Sequence, residues 1–214
     1  MSPDGQTQTG PMAGGVVIFA AGNENSGQPG YPAAYEPCIS VAAVSCTYEA
    51  AWYTNYGPTV DICAPGGGDA ADFSRPIHYN EGYNLSTLPT DLQNGMTFVY
   101  TNFRGEVETH TIDYVSETLG YGYMQGTSMA CPHVSGVAAL GLSYALAKGR
   151  HYTVDEFKSM LLTAVNDIDS YIIGGTKNGM VLRNYRKNMG TGSIDAYQLL
   201  MQIEGTPCLP AKVG

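Results

Sequence analysis

The apolar residues of the first third of the chain fall into three short, nearly unbroken runs: residues 15–21 (GVVIFAA), 39–44 (ISVAAV) and 60–64 (VDICA). The first gives way to Gly22-Asn23 and the third to Pro65-Gly66. Runs of this length without regular polar alternation are the pattern of strands covered on both faces, as in the parallel sheet of an α/β domain. The connections between them are rich in Gly, Pro, Asn and Tyr and are expected to be surface loops. Residues 1–14 carry no such pattern and read as a flexible arm.

Beyond Gly66 the pattern changes. Residues 69–120 read as an insertion, within which 96–102 and 107–115 alternate around Phe103-Arg104-Gly105-Glu106, predicting a β-hairpin. Residues 127–147 form the strongest predicted helix, apolar on nearly all sides and therefore expected to be buried, with Gly136 and Gly141 allowing close approach. A second helix opens at Thr153, where Glu156 three residues on completes a capping box, and runs to about residue 164. A short final helix over 193–202 follows the turn Gly190-Thr191-Gly192. The fold class is α/β: part of a parallel sheet, helices packed on it, and an added hairpin.

Composition narrows the function. Apolar residues make up 43% of the 214-residue chain and charged ones 14%, which excludes a disordered tail. The net charge of −9, with no basic stripe, excludes non-specific nucleic-acid binding. No stretch reads as a membrane span, and the first ten residues lack the basic start of a signal peptide. The five cysteines (Cys38, Cys46, Cys63, Cys131, Cys208) contain no CxxC pair and leave at least one thiol free. No cofactor is implied. Calcium is a weak option, resting on Asp69, Asp72 and Glu81, whose spacing is not that of a regular calcium loop, so no metal ligands are assigned.

Chemistry enters with the run Gly126-Thr127-Ser128-Met129-Ala130-Cys131-Pro132-His133-Val134-Ser135-Gly136. It sets a hydroxyl at the start of a helix, where unpaired N–H groups and the helix dipole favour developing negative charge. A nucleophile whose reaction passes through an oxyanion suits that position. The run resembles the nucleophile motif of the subtilisin-like serine proteases, the subtilases. A second match, Ala20-Ala21-Gly22-Asn23-Glu24, resembles the segment carrying that family's oxyanion asparagine. Further matches lie at Gly30-Tyr31-Pro32-Ala33-Ala34-Tyr35, Asn55-Tyr56-Gly57-Pro58, Ala64-Pro65-Gly66, Ser86-Thr87-Leu88-Pro89 and residues 190–196.

The resemblance implies a serine endopeptidase acting on polypeptides, with Ser128 as nucleophile and Asn23 as an oxyanion donor beside the N–H of Ser128. It implies that Gly22, Gly30, Gly126 and Thr127 border the substrate, the glycines at 22 and 30 leaving room for a side chain. His133 lies five residues after Ser128 on one helix and is read as structural, because five residues turn the helix through about 500°. The family's catalytic histidine and aspartate motifs have no counterpart in the chain: His78, His110, His133 and His151 stand in other contexts, and Asp4-Gly5 ends no strand. The chain therefore reads as the C-terminal half of a subtilase catalytic domain, inactive alone because a serine hydroxyl needs an oriented base. The missing N-terminal half is the expected partner, and the sheet edge it would cover leaves a homodimer open as well. The alternatives are a non-catalytic peptide-binding module and a half-site completed by another chain. By analogy with the family the parent protein is secreted, periplasmic or on the cell surface.

Overall fold

In chain order the strands are β1 (Val17–Ala20), β2 (Cys38–Val44), β3 (Ile62–Pro65), β4 (Asn84–Thr87), β5 (Met96–Thr101), β6 (Val107–Ile112), β7 (Tyr114–Ser116) and β8 (Tyr121–Met124). Helices α1 (Thr127–Ala147) and α2 (Val154–Thr163) follow, then β9 (Val165–Asn166), β10 (Thr176–Lys177), β11 (Met180–Val181), β12 (Ser193–Ile194) and α3 (Ala196–Glu204). The computed structural model describes residues 8, 10–68, 82–87, 96–101, 105–112, 114–116, 120–177 and 179–206.

The three apolar runs become β1, β2 and β3, side by side and parallel, with β2 in the middle and buried along its whole length. Strand β12 extends the sheet parallel to β3, and β9 closes that edge antiparallel. Alternation along β2 shows why no polar face was visible in its sequence. Ile39, Val41 and Ala43 join a core with α1, α2 and α3, whereas Ala42 and Val44 join a second core with Cys63, Ile168, Ile172, Met180, Tyr185 and Met189. Both faces are dry, so both sets are apolar.

Helix α1 lies across β1, β2 and β3 through one stripe of small residues, Ala130, Val134, Ala138, Gly141 and Ala145, all buried. A Cβ at Gly141 would stand 2.6 Å from Leu199 Cδ2, so glycine there lets α3 nest against α1. The expectation of burial on all sides needs correction: Leu140 and Leu146 are 47% and 55% exposed. Only one stripe of the helix has neighbours among the described residues. By length and composition alone α1 could also cross a membrane, contrary to the sequence reading, but its buried stripe packs on the sheet.

The end of the N-terminal arm is anchored rather than free. Met12 is buried in the helix-side core, and Tyr152 N–H donates to the Pro11 carbonyl. An apolar side chain with a place in the core outweighs the local Pro/Gly composition. The predicted final helix also starts later: Ser193-Ile194 pair with β3 and β9, and α3 begins after Asp195, whose side chain accepts from Gln198 N–H.

In the insertion, β5 and β6 form the predicted hairpin, and Val99 and Val107 are exposed. Strands β4, β8 and β7 make a three-stranded antiparallel sheet whose middle strand, β8, leads straight into α1. Residues 69–81, with Asp69, Asp72, His78 and Glu81, lie outside the described residues, as do Asp4, Gly5 and Cys208.

The capping box forms as expected. Thr153 Oγ1 accepts from Glu156 N–H at 3.2 Å, and the Glu156 carboxylate accepts from Thr153 N–H at 2.7 Å. That backbone donor, with the Thr153 hydroxyl, holds the Glu156 carboxyl below its ordinary range. A carboxyl depressed in the folded state contributes stability above its unfolded pKa and loses it as pH falls through the folded value. Thr153→Ala is expected to cost about 1 kcal/mol, lowering the melting temperature by roughly 2–4 °C. The deficit measured by thermal unfolding should shrink as the pH is taken below the carboxylate range.

Candidate active site

The first polar residues after β1 are Gly22 and Asn23, and they meet the start of α1. Ser128 is the second residue of that helix and is exposed. Gly126 caps the helix with φ +147°, in the region that favours glycine, and its own side-chain position faces the site. A Cβ there would stand 3.6 Å from Asn23 Nδ2 and 3.7 Å from Ser128 N. Asn23 Oδ1 would stand 3.8 Å from the same point, so the Asn23 amide and the Ser128 N–H both border the space beside the glycine.

Thr127 orients the asparagine. Its backbone N–H and its hydroxyl both donate to Asn23 Oδ1, each at 2.9 Å. A backbone N–H can only donate, so the amide oxygen must face Thr127 and the amide nitrogen must face the other way. The Thr127 hydroxyl in turn accepts from Gly22 N–H at 3.3 Å. Thr127 is fully buried, which makes it a fixed support. Asn23 Nδ2 has no hydrogen-bond partner within the described residues, so it is available to a ligand.

The loop after Asn23 is held by residues the sequence reading did not single out. Asn55, buried at 5% exposure, accepts from the N–H groups of Glu24 and Ser26 at 3.1 and 3.0 Å. Its amide nitrogen donates to the Ala21 carbonyl at 3.0 Å and to the Glu24 carboxylate at 2.7 Å. The Tyr185 hydroxyl, 160 positions away, donates to the side chain of Asn25. Asn55 lies within the family-like run Asn55-Tyr56-Gly57-Pro58. Tyr185 carried no local signal at all.

At Gly22 and Gly30 an added side chain would meet the chain's own atoms. A Cβ at Gly22 would fall 2.3 Å from Asn55 Nδ2 and 2.5 Å from Glu24 Oε2, and one at Gly30 would fall 2.8 Å from the Ala21 carbonyl oxygen. In that direction the space belongs to the chain's own polar atoms rather than to a substrate side chain.

Neither His133 nor His151 is hydrogen-bonded to Ser128. His133 is exposed, with Nδ1 2.8 Å from the Met129 carbonyl of its own helix, and His151 Nδ1 lies 3.3 Å from the Gly10 carbonyl. His110 is on β6, and His78 lies outside the described residues. Cys131, one turn beyond Ser128, points its thiol at the Ile18 carbonyl, and burial pushes its pKa up, away from the reactive thiolate. The described cysteines are all free thiols.

Comparison with known proteins gives one family. The model of the subtilase family matches residues 4–191. The extracellular basic protease of Dichelobacter nodosus is 28% identical over 180 residues, covering 84% of this chain and 24% of that protein. The thermophilic serine proteinase of Bacillus sp. (strain AK1) is 34% identical over 129 residues, covering 59% of this chain and 21% of that protein. Among solved structures, a protease from Pseudoalteromonas arctica PAMC 21717 superposes with a TM-score of 0.52 at 27% identity, covering 88% of this chain and 42% of that one. The chain thus spans less than a quarter of these curated relatives and under half of that solved protease.

Proposed function

Because the chain belongs to the subtilase family, we propose that it is the nucleophile-and-oxyanion half of a serine endopeptidase site. The observation that carries this reading is the convergence of Ser128 N–H and Asn23 Nδ2 on the space beside Gly126. Ser128 Oγ attacks the scissile carbonyl carbon, and the carbonyl oxygen, now negative, moves into that space. Two donors and the N-terminal end of α1 stabilise the charge there. The serine proton must leave to a base, and the leaving amine must receive one.

That base and its orienting carboxylate come from the other half of the domain. Several observations support this. The chain spans 42% of its solved relative, β1 has no neighbour beyond β2 within the described residues, and apolar residues of α1 stand exposed. The partner half is either encoded upstream or brought by a second polypeptide. A secreted parent protein is supported by the extracellular relative. That His133 and His151 are both engaged elsewhere favours one second reading, a peptide-binding module that has lost catalysis.

Fluorophosphonate labelling separates the readings. The 214-residue chain is expected to take no label. The reading frame extended upstream should label strongly, and Ser128→Ala should abolish that label. An unlabelled extended chain would leave the binding module and a site completed by a second polypeptide, whereas Ser128-dependent labelling of the 214 residues alone would overturn their inactivity.

A further inference from the structure

Tyr53, in the loop between β2 and β3, is 4% exposed, and its hydroxyl is tied to three backbone groups. It accepts the Gly126 N–H at 2.9 Å and faces the carbonyls of Gly66 and Gly67 at 2.7 and 2.6 Å, to which its single proton can be donated. Gly126 N–H also reaches the Gly66 carbonyl at 2.8 Å. The three partners belong to two turns: the one leaving β3 and the one delivering Ser128. Phenylalanine would fill nearly the same volume and bury no polar group. A hydroxyl kept here must be explained by what it binds.

Gly126 is the residue whose open side borders both Asn23 Nδ2 and Ser128 N. Its backbone is also tied to the Gly66 carbonyl and to the N–H groups of Met129 and Ala130, and among the described residues the Tyr53 hydroxyl is the one side-chain group that joins them. Gly126 itself has no side chain, and its φ of +147° is one most residues avoid. A Cβ on Gly66 would fall 2.9 Å from the Gly126 carbonyl oxygen and 3.0 Å from the Tyr53 hydroxyl, so the turns and the phenol are in direct contact. We propose that the Tyr53 hydroxyl is a positioning group for the oxyanion site, locking Gly126 so that the two donors keep their spacing. It touches no substrate and acts through Gly126. Burial pushes its pKa well above that of an ordinary tyrosine, so the phenol stays protonated and serves as donor and acceptor together. Asn25 N–H donates to the Tyr53 carbonyl at 2.8 Å, so the same residue also braces the loop that follows Asn23.

This role rests on the protease reading, and Tyr53→Phe tests it with two readouts. In the chain extended upstream, the saturating rate of fluorophosphonate labelling should fall about tenfold, the size of one ordinary hydrogen bond, with the half-saturating probe concentration unchanged. In the 214-residue chain, hydrogen exchange at Gly126 should quicken by a similar factor while the amides of Val134 and Ala138 stay as slow as before. A general loss of packing would instead speed exchange throughout α1. A labelled wild type with an equally fast Tyr53→Phe variant overturns the positioning role and leaves the protease reading standing. An extended wild type that takes no label overturns a protease site completed from upstream and this role within it. Should Tyr53→Phe not fold, exchange in the wild type decides: Gly126 must be protected relative to Ser128, and an unprotected Gly126 refutes the tie.

Discussion

Replacing Asn23 with leucine is expected to lower kcat of the upstream-extended enzyme by about 100- to 1000-fold, with KM nearly unchanged. That range is the measured loss for the corresponding donor in subtilisin, a member of the same family, and is carried over rather than computed from this geometry. On the proposed reading, Asn23 Nδ2 borders the space in which the oxyanion would form, and such a donor acts only once that charge exists. Leucine also strips Thr127 of its acceptor, so part of its effect could be misplacement of the helix start. Asn23→Asp separates the two. The carboxylate keeps an acceptor for both Thr127 donors but lacks the N–H group and adds a like charge beside the oxyanion. Its kcat should be at least as low as that of Asn23→Leu. Near-normal turnover in Asn23→Asp would remove Asn23 from the oxyanion site. Thr127→Ala, which leaves the backbone donor to orient the amide, should cost only about tenfold.

Gly190→Ala is expected to destabilise the fold strongly. Its Cβ would stand 2.3 Å from both Asp61 C and Ile62 N and 2.5 Å from Asp61 O. None of these atoms can yield. Thr191 N–H donates to the Asp61 carbonyl at 2.9 Å, the Asp61 carboxylate accepts from Ser40 N–H at 2.8 Å, and Ile62 begins β3. The residue also sits at φ +77°, where alanine is strained by about 1 kcal/mol. Adding forced overpacking of typically 1–3 kcal/mol gives a loss of about 2–4 kcal/mol, and a melting temperature lower by roughly 4–16 °C. Gly149 supplies the control. It has φ +63° but nothing within 4 Å of its Cβ position, so Gly149→Ala should cost the backbone term alone, about 1 kcal/mol. If the two variants melt together by circular dichroism, steric contact with β3 is not what Gly190 avoids.

Sequence reading reached furthest where one physical cause acts along a continuous stretch. The strands β2 and β3 were legible because a strand covered on both faces must be apolar throughout, whereas β1 is equally apolar but only partly covered, with Val17 48% exposed. The α2 cap was legible because Thr153 and Glu156 satisfy each other's backbone across three residues. The paired strands β9 with β12 and β10 with β11 were not, since two residues carry no period and their pairing comes from distant parts of the chain. The same limit made Ser193-Ile194 look like the start of a helix.

For the candidate site, the amino-acid sequence alone determined which residue types are present and in what order: a serine at a helix start, an asparagine after a buried strand, glycines beside both. Tertiary structure decided what they do to one another. Only packing brought Thr127 against Asn23 across 104 positions and fixed which way the amide faces. Only packing revealed that the space beside Gly22 is filled by Asn55 and Glu24, and that a buried phenol from the loop after β2 holds Gly126. Hydrophobicity is a property each residue carries with it, and so it can be read along a chain. A hydrogen bond needs two groups at one distance and angle, and that condition exists only once the chain has folded.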